Sequence, residues 1–198
     1  MRLITSLLCL SILGFAATPS FAQSSRVERT QNEILLQDTQ NNLEADRAAR
    51  ADAIRLCATK DYAACWQLGE YYRKGRGGLQ DYSAAVKAYR TACDGQNAGA
   101  CAALAYLATK GNGMDQDLKE ARQLYKRSCD LGEVSGCAGY GNMLFTGKGG
   151  DKNVAEGTRV LQSACDEGYK WACDRITGLA AYDPNDNTWE RLKDTAGR

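Results

Sequence analysis

The chain has 198 residues, with 25 Lys and Arg against 24 Asp and Glu, so its formal net charge is only +1. This balance gives no reason to expect a nucleic acid or an anionic membrane surface as partner. The sequence contains no histidine, which removes the commonest general base and the usual nitrogen ligand of zinc. We therefore expect neither a metal site nor a cofactor.

Residues 1–22 have the pattern of a secretory signal peptide. Arg2 precedes an apolar run over residues 3–17, and Ser20-Phe21-Ala22 supplies the small residues that surround a signal-peptidase cleavage site. The run is too short to cross a bilayer. We expect cleavage near Ala22 and a periplasmic or secreted mature chain, which would no longer contain Cys9.

Residues 23–56 predict an N-terminal helical cap. A first helix is expected from about Val27, with a short apolar patch at residues 34–36. The segment Asn41-Asn42-Leu43-Glu44 resembles a capping box and predicts the start of a second helix that ends near Leu56. Together they would form a degenerate hairpin ahead of the regular repeats.

The eight remaining cysteines recur with a fixed period. A C-x₇-C unit occurs four times at steps of 36 residues, and a period of this size is typical of a solenoid of stacked supersecondary units. We predict an all-α fold, an α/α superhelical solenoid of antiparallel hairpins, over residues 57–182. The cysteines are Cys57, Cys65, Cys93, Cys101, Cys129, Cys137, Cys165 and Cys173.

Each period predicts two helices joined by a glycine loop. The first helix follows the second cysteine and ends at Gly75, Gly111 or Gly147, where glycine is the usual C-cap residue. The second helix is expected to open at the capping residues Asp81, Asp117 and Asn153. After Cys173 the period fades, and residues 183–198 predict a C-terminal capping segment with a last short helix from Asn187.

An even number of cysteines in an exported chain favours structural disulfides. The period leaves two regular pairings. One joins the cysteines of each C-x₇-C unit and uses all eight, whereas the other joins Cys65–Cys93 and its equivalents and leaves Cys57 and Cys173 unpaired. We prefer the first pairing, which links the last turn of one hairpin to the first turn of the next.

The first helix also supports a family resemblance. Cys65-x₂-Leu68-Gly69-x₂-Tyr72 has the skeleton of the tetratricopeptide first helix, with cysteine in place of tryptophan and a longer period. With the glycine loops and the cysteine pairs, it resembles Sel-one-like repeats, and more narrowly the secreted cysteine-rich branch known from Helicobacter. The resemblance covers about residues 45–181 and implies a binding scaffold.

Such a scaffold would bind a protein or peptide partner in the groove formed by its first helices. Side chains on these helices that do not point to the core are the candidates, because aromatic and arginine side chains often anchor partners. The alternative is that Trp66 and Phe145 pack between adjacent units. The candidate partner-binding residues are Trp66, Glu70, Arg73, Tyr106, Asn142 and Phe145.

The same resemblance implies two further functions. Members of the cysteine-rich branch have been described as penicillin-binding or β-lactamase-like, but the S-x-x-K and K-T-G motifs of the serine mechanism are absent, since Lys87 follows Ser83 by four residues rather than three. Relatives in the mitochondrial intermembrane space imply respiratory-complex assembly or haem assistance. We name no catalytic residue and expect a scaffold rather than an enzyme.

Overall fold

The computed structural model describes the backbone of residues 19–180 and the side chains of residues 31–178. All regular secondary structure in this part of the chain is α-helical, which confirms the predicted all-α class. None of the described helices combines the length and the hydropathy that a membrane span requires. The helices are α1 (Pro19–Ala58), α2 (Tyr62–Lys74), α3 (Tyr82–Asp94), α4 (Ala98–Lys110), α5 (Leu118–Asp130), α6 (Val134–Thr146), α7 (Val154–Asp166) and α8 (Lys170–Ala180).

The chain divides into two units, residues 1–42 and residues 43–198. In the first unit the described residues belong to helix α1, and Ile34, Leu35 and Leu36 are more than 60% exposed. The predicted start of a second helix at Asn41 is wrong, because α1 is continuous to Ala58. Residues 23–58 contain no glycine or proline, and asparagine alone weakens a helix only slightly. The predicted signal peptide lies largely outside the described residues.

The second unit consists of stacked hairpins, α2 with α3, α4 with α5, and α6 with α7. In each hairpin the first helix ends at a glycine in the left-handed conformation, Gly75, Gly111 or Gly147, as predicted. The second helices open at the predicted N-caps, where Asp81, Asp117 and Asn153 accept hydrogen bonds from backbone N–H groups three residues later. The predicted C-terminal capping segment lies outside the described residues.

Successive hairpins interlock through their glycine loops. The second glycine of each loop lies against the backbone of the preceding second helix: Gly113 against Tyr82 and Gly149 against Leu118. Each of these glycines has a φ near +74°, and a Cβ atom there would collide with the neighbouring backbone. The loops therefore set the distance between repeats.

The four disulfides are those of the preferred pairing. Each joins the end of one hairpin to the start of the next unit, with Cα–Cα distances of 4.3 to 4.7 Å. Cys93 and Cys101 are fully buried in the largest core cluster, beside Tyr89 and Leu104. The bonds are Cys57–Cys65, Cys93–Cys101, Cys129–Cys137 and Cys165–Cys173.

Candidate functional site

An open groove of about 370 Å³ crosses the first helices of the stack. We call it the aromatic groove, because four rings line it, those of Trp66, Tyr106, Tyr125 and Tyr169. Four of the six candidate partner-binding residues line it. The lining residues are Trp66, Glu70, Arg73, Gly99, Ala102, Ala103, Tyr106, Tyr125, Glu133, Ser135 and Tyr169.

One end of the aromatic groove holds a charged network around Glu70. Arg73 donates two hydrogen bonds to the Glu70 carboxylate, at 3.1 and 2.7 Å, from its Nε and Nη2 atoms. Tyr89 donates a third hydrogen bond of 2.5 Å from below, and the Lys74 ammonium lies 2.7 Å from Oε2. The Tyr89 hydroxyl in turn accepts a hydrogen bond of 3.2 Å from Arg73. Both groove-facing side chains are therefore held in place by a buried tyrosine.

The network stabilises the charged form of Glu70. Burial by itself raises the pKa of Glu70, but the hydrogen bonds from Arg73, Lys74 and Tyr89 outweigh this effect and lower the pKa to about 2. Burial and the neighbouring carboxylate raise the pKa of Tyr89, so its hydroxyl remains a donor at ordinary pH. The Glu70 carboxylate is thus fully paired, with Arg73 and Lys74 as its two cations.

The next repeat replaces this network with aromatic side chains. Tyr106, Thr109 and Tyr125 stand 36 residues after Glu70, Arg73 and Tyr89. Burial raises the pKa of Tyr125 to about 12, although a hydrogen bond with Thr109 acts in the other direction, and Tyr106 and Tyr169 raise it further. The Tyr125 ring packs on Gly139 of α6, where a Cβ atom would collide with it. A neutral phenol thus forms the floor of the groove.

Two predicted partner-binding residues lie outside the aromatic groove. Asn142 and Phe145 stand at the Glu70 and Arg73 positions of the third hairpin, where Leu161 replaces the buried tyrosine. The Oδ1 atom of Asn142 is buried and has no hydrogen-bond partner among the described residues. Phe145 is half-buried, and the Lys152 ammonium lies 5.9 Å from the centre of its ring. These two side chains do not continue the groove.

Glu133 and Tyr169 line the groove but were not among the sequence candidates. They occupy the N-cap position that holds Asp61 and Asn97 in the earlier repeats, where short side chains accept a hydrogen bond from the first turn. Glu133 accepts a hydrogen bond from the backbone N–H of Ser135, only two residues later. Tyr169 has a phenol in place of a short capping side chain. Glutamate and tyrosine are weak choices at an N-cap. This departure from the capping pattern is visible in the aligned repeats and could have identified both residues.

A second, smaller pocket of about 230 Å³ lies on α5, with Lys119, Arg122 and Lys126 on its wall. Arg122 donates to the Asp151 carbonyl oxygen, and Lys126 pairs with Asp130. Two of its three cations are therefore already engaged.

The described residues contain neither a metal-binding cluster nor a serine–lysine catalytic pair. No group of three or more His, Cys, Asp or Glu side chains in that part of the chain could hold a metal ion. Ser83, the residue closest to a serine–lysine motif, donates a hydrogen bond of 3.2 Å to the Gly113 carbonyl oxygen. It contributes to the contact between two repeats.

These features define a disulfide-linked helical repeat protein with an open groove on its first helices. Three consecutive segments, residues 63–97, 98–133 and 134–169, match the Sel1 repeat and make up more than half of the chain. The chain belongs to the Sel1 repeat family. A comparison with curated protein sequences finds no match.

Solved structures with the same fold include three bacterial proteins. A Sel1 repeat protein from Oxalobacter formigenes superposes with a TM-score of 0.62 at 23% identity over 68% of this chain. A protective antigen of uropathogenic Escherichia coli, c5321, gives 0.60 at 21% identity over 74% of this chain. Helicobacter pylori cysteine rich protein B gives 0.53 at 22% identity over 67% of this chain and 95% of its own length. The chain spans 55% and 35% of the first two proteins.

Proposed function

We propose that this protein is an extracytoplasmic scaffold that binds a segment of a partner protein in the aromatic groove. The observation that carries the proposal is the combination of exposed rings with a fixed floor. Trp66 and Tyr106 are 37% and 48% exposed although they lie on helices whose other faces form the core. Large aromatic side chains that are exposed in a groove are frequent anchors of protein partners.

The scaffold also has little to reorganise on binding. Arg73 and Glu70 are held by Tyr89, and Tyr125 is held between α4 and α6 by Gly139. A preorganised surface loses less conformational entropy when a partner binds. The four disulfides limit movement between hairpins in the same way and are stable in an oxidising compartment.

Site-specific photo-crosslinking tests this proposal. A crosslinking amino acid is introduced at Ala102, which lines the aromatic groove, and separately at Lys87, an exposed position on the second helix of the preceding hairpin. We expect one protein to be captured from Ala102 and not from Lys87. The same protein should be lost when Trp66 is changed to alanine in the Ala102 variant. Equal capture from both positions would contradict the proposal.

The location is tested separately. Cell fractionation followed by N-terminal sequencing of the mature protein should give a periplasmic or secreted chain that begins after Ala22. A chain recovered from the cytoplasm with Met1 intact would contradict an extracytoplasmic scaffold.

A further inference from the structure

We propose that the aromatic groove recognises a positively charged side chain, arginine or lysine, of the bound peptide, with Glu133 as its counterion and Trp66 and Tyr169 on either side. This inference rests on the proposed function, because it specifies the chemistry of the segment that the groove binds. Three observations carry it: the charge that is left free, the arrangement of the rings, and the loss of ordinary helix capping at two positions.

The first observation concerns charge. Three side chains that line the groove are charged, and two of them, Glu70 and Arg73, neutralise each other through paired hydrogen bonds. Glu133 makes no ion pair within 4 Å among the described residues. Its Oε1 atom accepts from the Ser135 hydroxyl at 2.7 Å and the Ser135 backbone N–H at 3.3 Å. A negative charge without a cationic partner therefore lines the groove, whereas Arg73, the cation among the lining residues, is already paired with Glu70.

The second observation concerns the rings. The indole of Trp66, on α2, lies beside the N-terminus of α4, where its Nε1 atom would be 3.4 Å from a Cβ at Gly99. Glu133 caps the next first helix, α6, and Tyr169 precedes the one after, α8. Trp66 and Tyr169, each 37% exposed, thus line the same groove as the Glu133 carboxylate. Ring faces attract cations, and arginine in particular stacks on them.

One ring of the groove, that of Tyr106, already has a cation from this chain near its face. The Lys110 ammonium, one turn further along α4, lies 5.9 Å from the centre of the Tyr106 ring. Tyr106 is therefore partly covered by this neighbour, whereas no cation–π contact involves Trp66 or Tyr169 among the described residues. The space beside Glu133 is consequently the better position for a cation from a partner.

The third observation concerns helix capping. Asp61 and Asn97 cap α2 and α4 with short side chains that are good acceptors for a first-turn N–H group. At the same position α6 has Glu133 and α8 has Tyr169, and both of these larger side chains reach the groove. Departures from a locally favourable residue are expected where a site requires another side chain. A carboxylate and the face of a phenol ring both attract a cation.

A titration with short peptides tests the inference. The probes are acetyl-Gly-Arg-Gly-amide, acetyl-Gly-Lys-Gly-amide, the neutral analogue in which citrulline replaces arginine, and acetyl-Gly-Glu-Gly-amide. Binding to the full mature protein is followed by NMR through the indole N–H resonance of Trp66, assigned with Trp66→Phe. We expect the arginine peptide to bind about tenfold more tightly than the citrulline peptide, and the glutamate peptide to cause no shift.

Two variants with a matched control locate the site. Glu133→Gln preserves the shape and an acceptor oxygen for the helix cap but removes the charge, and should weaken arginine-peptide binding about fivefold to tenfold. Tyr169→Ala should weaken it about twofold to fivefold. Glu167→Gln removes an exposed charge at the end of α7 that does not line the groove, and should leave binding unchanged. Thermal unfolding of each variant checks that the fold is retained.

The outcomes separate this inference from the proposed function. Equal binding of the arginine, citrulline and glutamate peptides, or full binding by Glu133→Gln, would overturn the inference. If the crosslinked partner still requires Trp66 in that case, the groove is a binding site and only its charge preference is wrong. If the crosslinked partner does not require Trp66, the proposed function itself fails.

Discussion

The Tyr89 hydroxyl donates a hydrogen bond of 2.5 Å to Oε1 of Glu70, and so connects the core of one hairpin to the surface of the groove. Tyr89 is fully buried, whereas the Glu70 side chain is 23% exposed. The same hydroxyl accepts from Arg73, so a single core residue orients both charged groups. The position of these groups therefore depends on the packing between α2 and α3.

This network predicts a pH-dependent contribution to stability. The pKa of Glu70 is lowered from 4.5 to about 2, so its stabilising effect is fully present above about pH 4.5 and is lost as the pH falls toward 2. Glu70→Gln should lower the free energy of unfolding at pH 7 by roughly 2 kcal/mol, after allowance for solvent screening. The difference from the unmodified protein should shrink between pH 4.5 and pH 2, as measured by urea unfolding at each pH.

Glu167→Gln provides the control for this measurement, because Glu167 is exposed and its side chain has no hydrogen-bond partner among the described residues. It should change stability by no more than a few tenths of a kcal/mol at any pH. A constant difference between Glu70→Gln and the unmodified protein from pH 7 to pH 2 would show that the network does not favour the charged carboxylate.

A methyl group at Gly69 should break the same network from the core side. A Cβ atom there would lie 2.9 Å from Cζ of Tyr89 and closer still to two other ring atoms. Because the ring is enclosed, Gly69→Ala should cost about 1 to 3 kcal/mol through overpacking and shift Tyr89 away from Glu70. Differential scanning calorimetry measures the first effect, and a decrease in the Tyr89 pKa in a spectroscopic titration measures the second, since the contribution of Glu70 to its raised pKa would be lost.

Gly178→Ala is the matched substitution for Gly69→Ala. Gly178 also lies in a first helix, α8, but no heavy atom lies within 4 Å of the Cβ position. Alanine has the higher helix propensity, so this change should stabilise the protein by up to about 1 kcal/mol. Equal destabilisation by both changes would exclude the Tyr89 ring as the cause of the Gly69→Ala effect.

The repeat period predicted the hairpins and their caps because both depend on local residue types. Gly75 and Asp81 act within one turn of their own helices, and such effects recur wherever the sequence recurs. The predicted helix boundary at Asn41 is wrong because a local signal alone does not decide where a helix starts. A capping box favours a helix start but cannot force one, and no glycine or proline near it prevents the helix from continuing.

The groove was only partly predictable for a related reason. Trp66 and Tyr106 could be predicted to lie on the surface because the helical periodicity of one helix is enough to distinguish its core-facing residues from its surface residues. It could not show that Glu133 and Tyr169, at the ends of two other helices, face the same space, because this depends on how successive hairpins stack. For the same reason Asn142 and Phe145 were expected in the groove, although only the N-terminal end of α6 in the third hairpin lines it.

The disulfides predict a graded loss of stability. Each closes a short loop, and removing one should cost about 2 to 3 kcal/mol in the chain-entropy estimate. Replacing both Cys93 and Cys101 by alanine should cost more than replacing Cys129 and Cys137, because the first pair is fully buried against Tyr89. Thermal unfolding compares the two variants.

Peptide mapping of the non-reduced protein should find the four C-x₇-C bridges, and a Cys65–Cys93 bridge would contradict them.

The last prediction separates the role of the disulfides from the role of the groove. Replacing Cys57 and Cys65 together should lower thermal stability but leave affinity for the crosslinked partner nearly unchanged at low temperature, because no residue of the loop that this disulfide closes lines the groove. In a repeat protein a local defect weakens its own unit and the adjoining interface without reshaping distant surface.

Trp66→Ala and Tyr106→Ala should have the opposite effect. Each removes an exposed ring from the groove and should cost about 1 to 3 kcal/mol of binding, while helix content by circular dichroism stays the same because neither side chain is part of a core cluster. Isothermal titration calorimetry at low temperature compares all three variants. A folded cysteine variant that no longer binds, or aromatic variants that bind normally, would show that binding depends on the cysteine-bearing turns rather than on the aromatic groove.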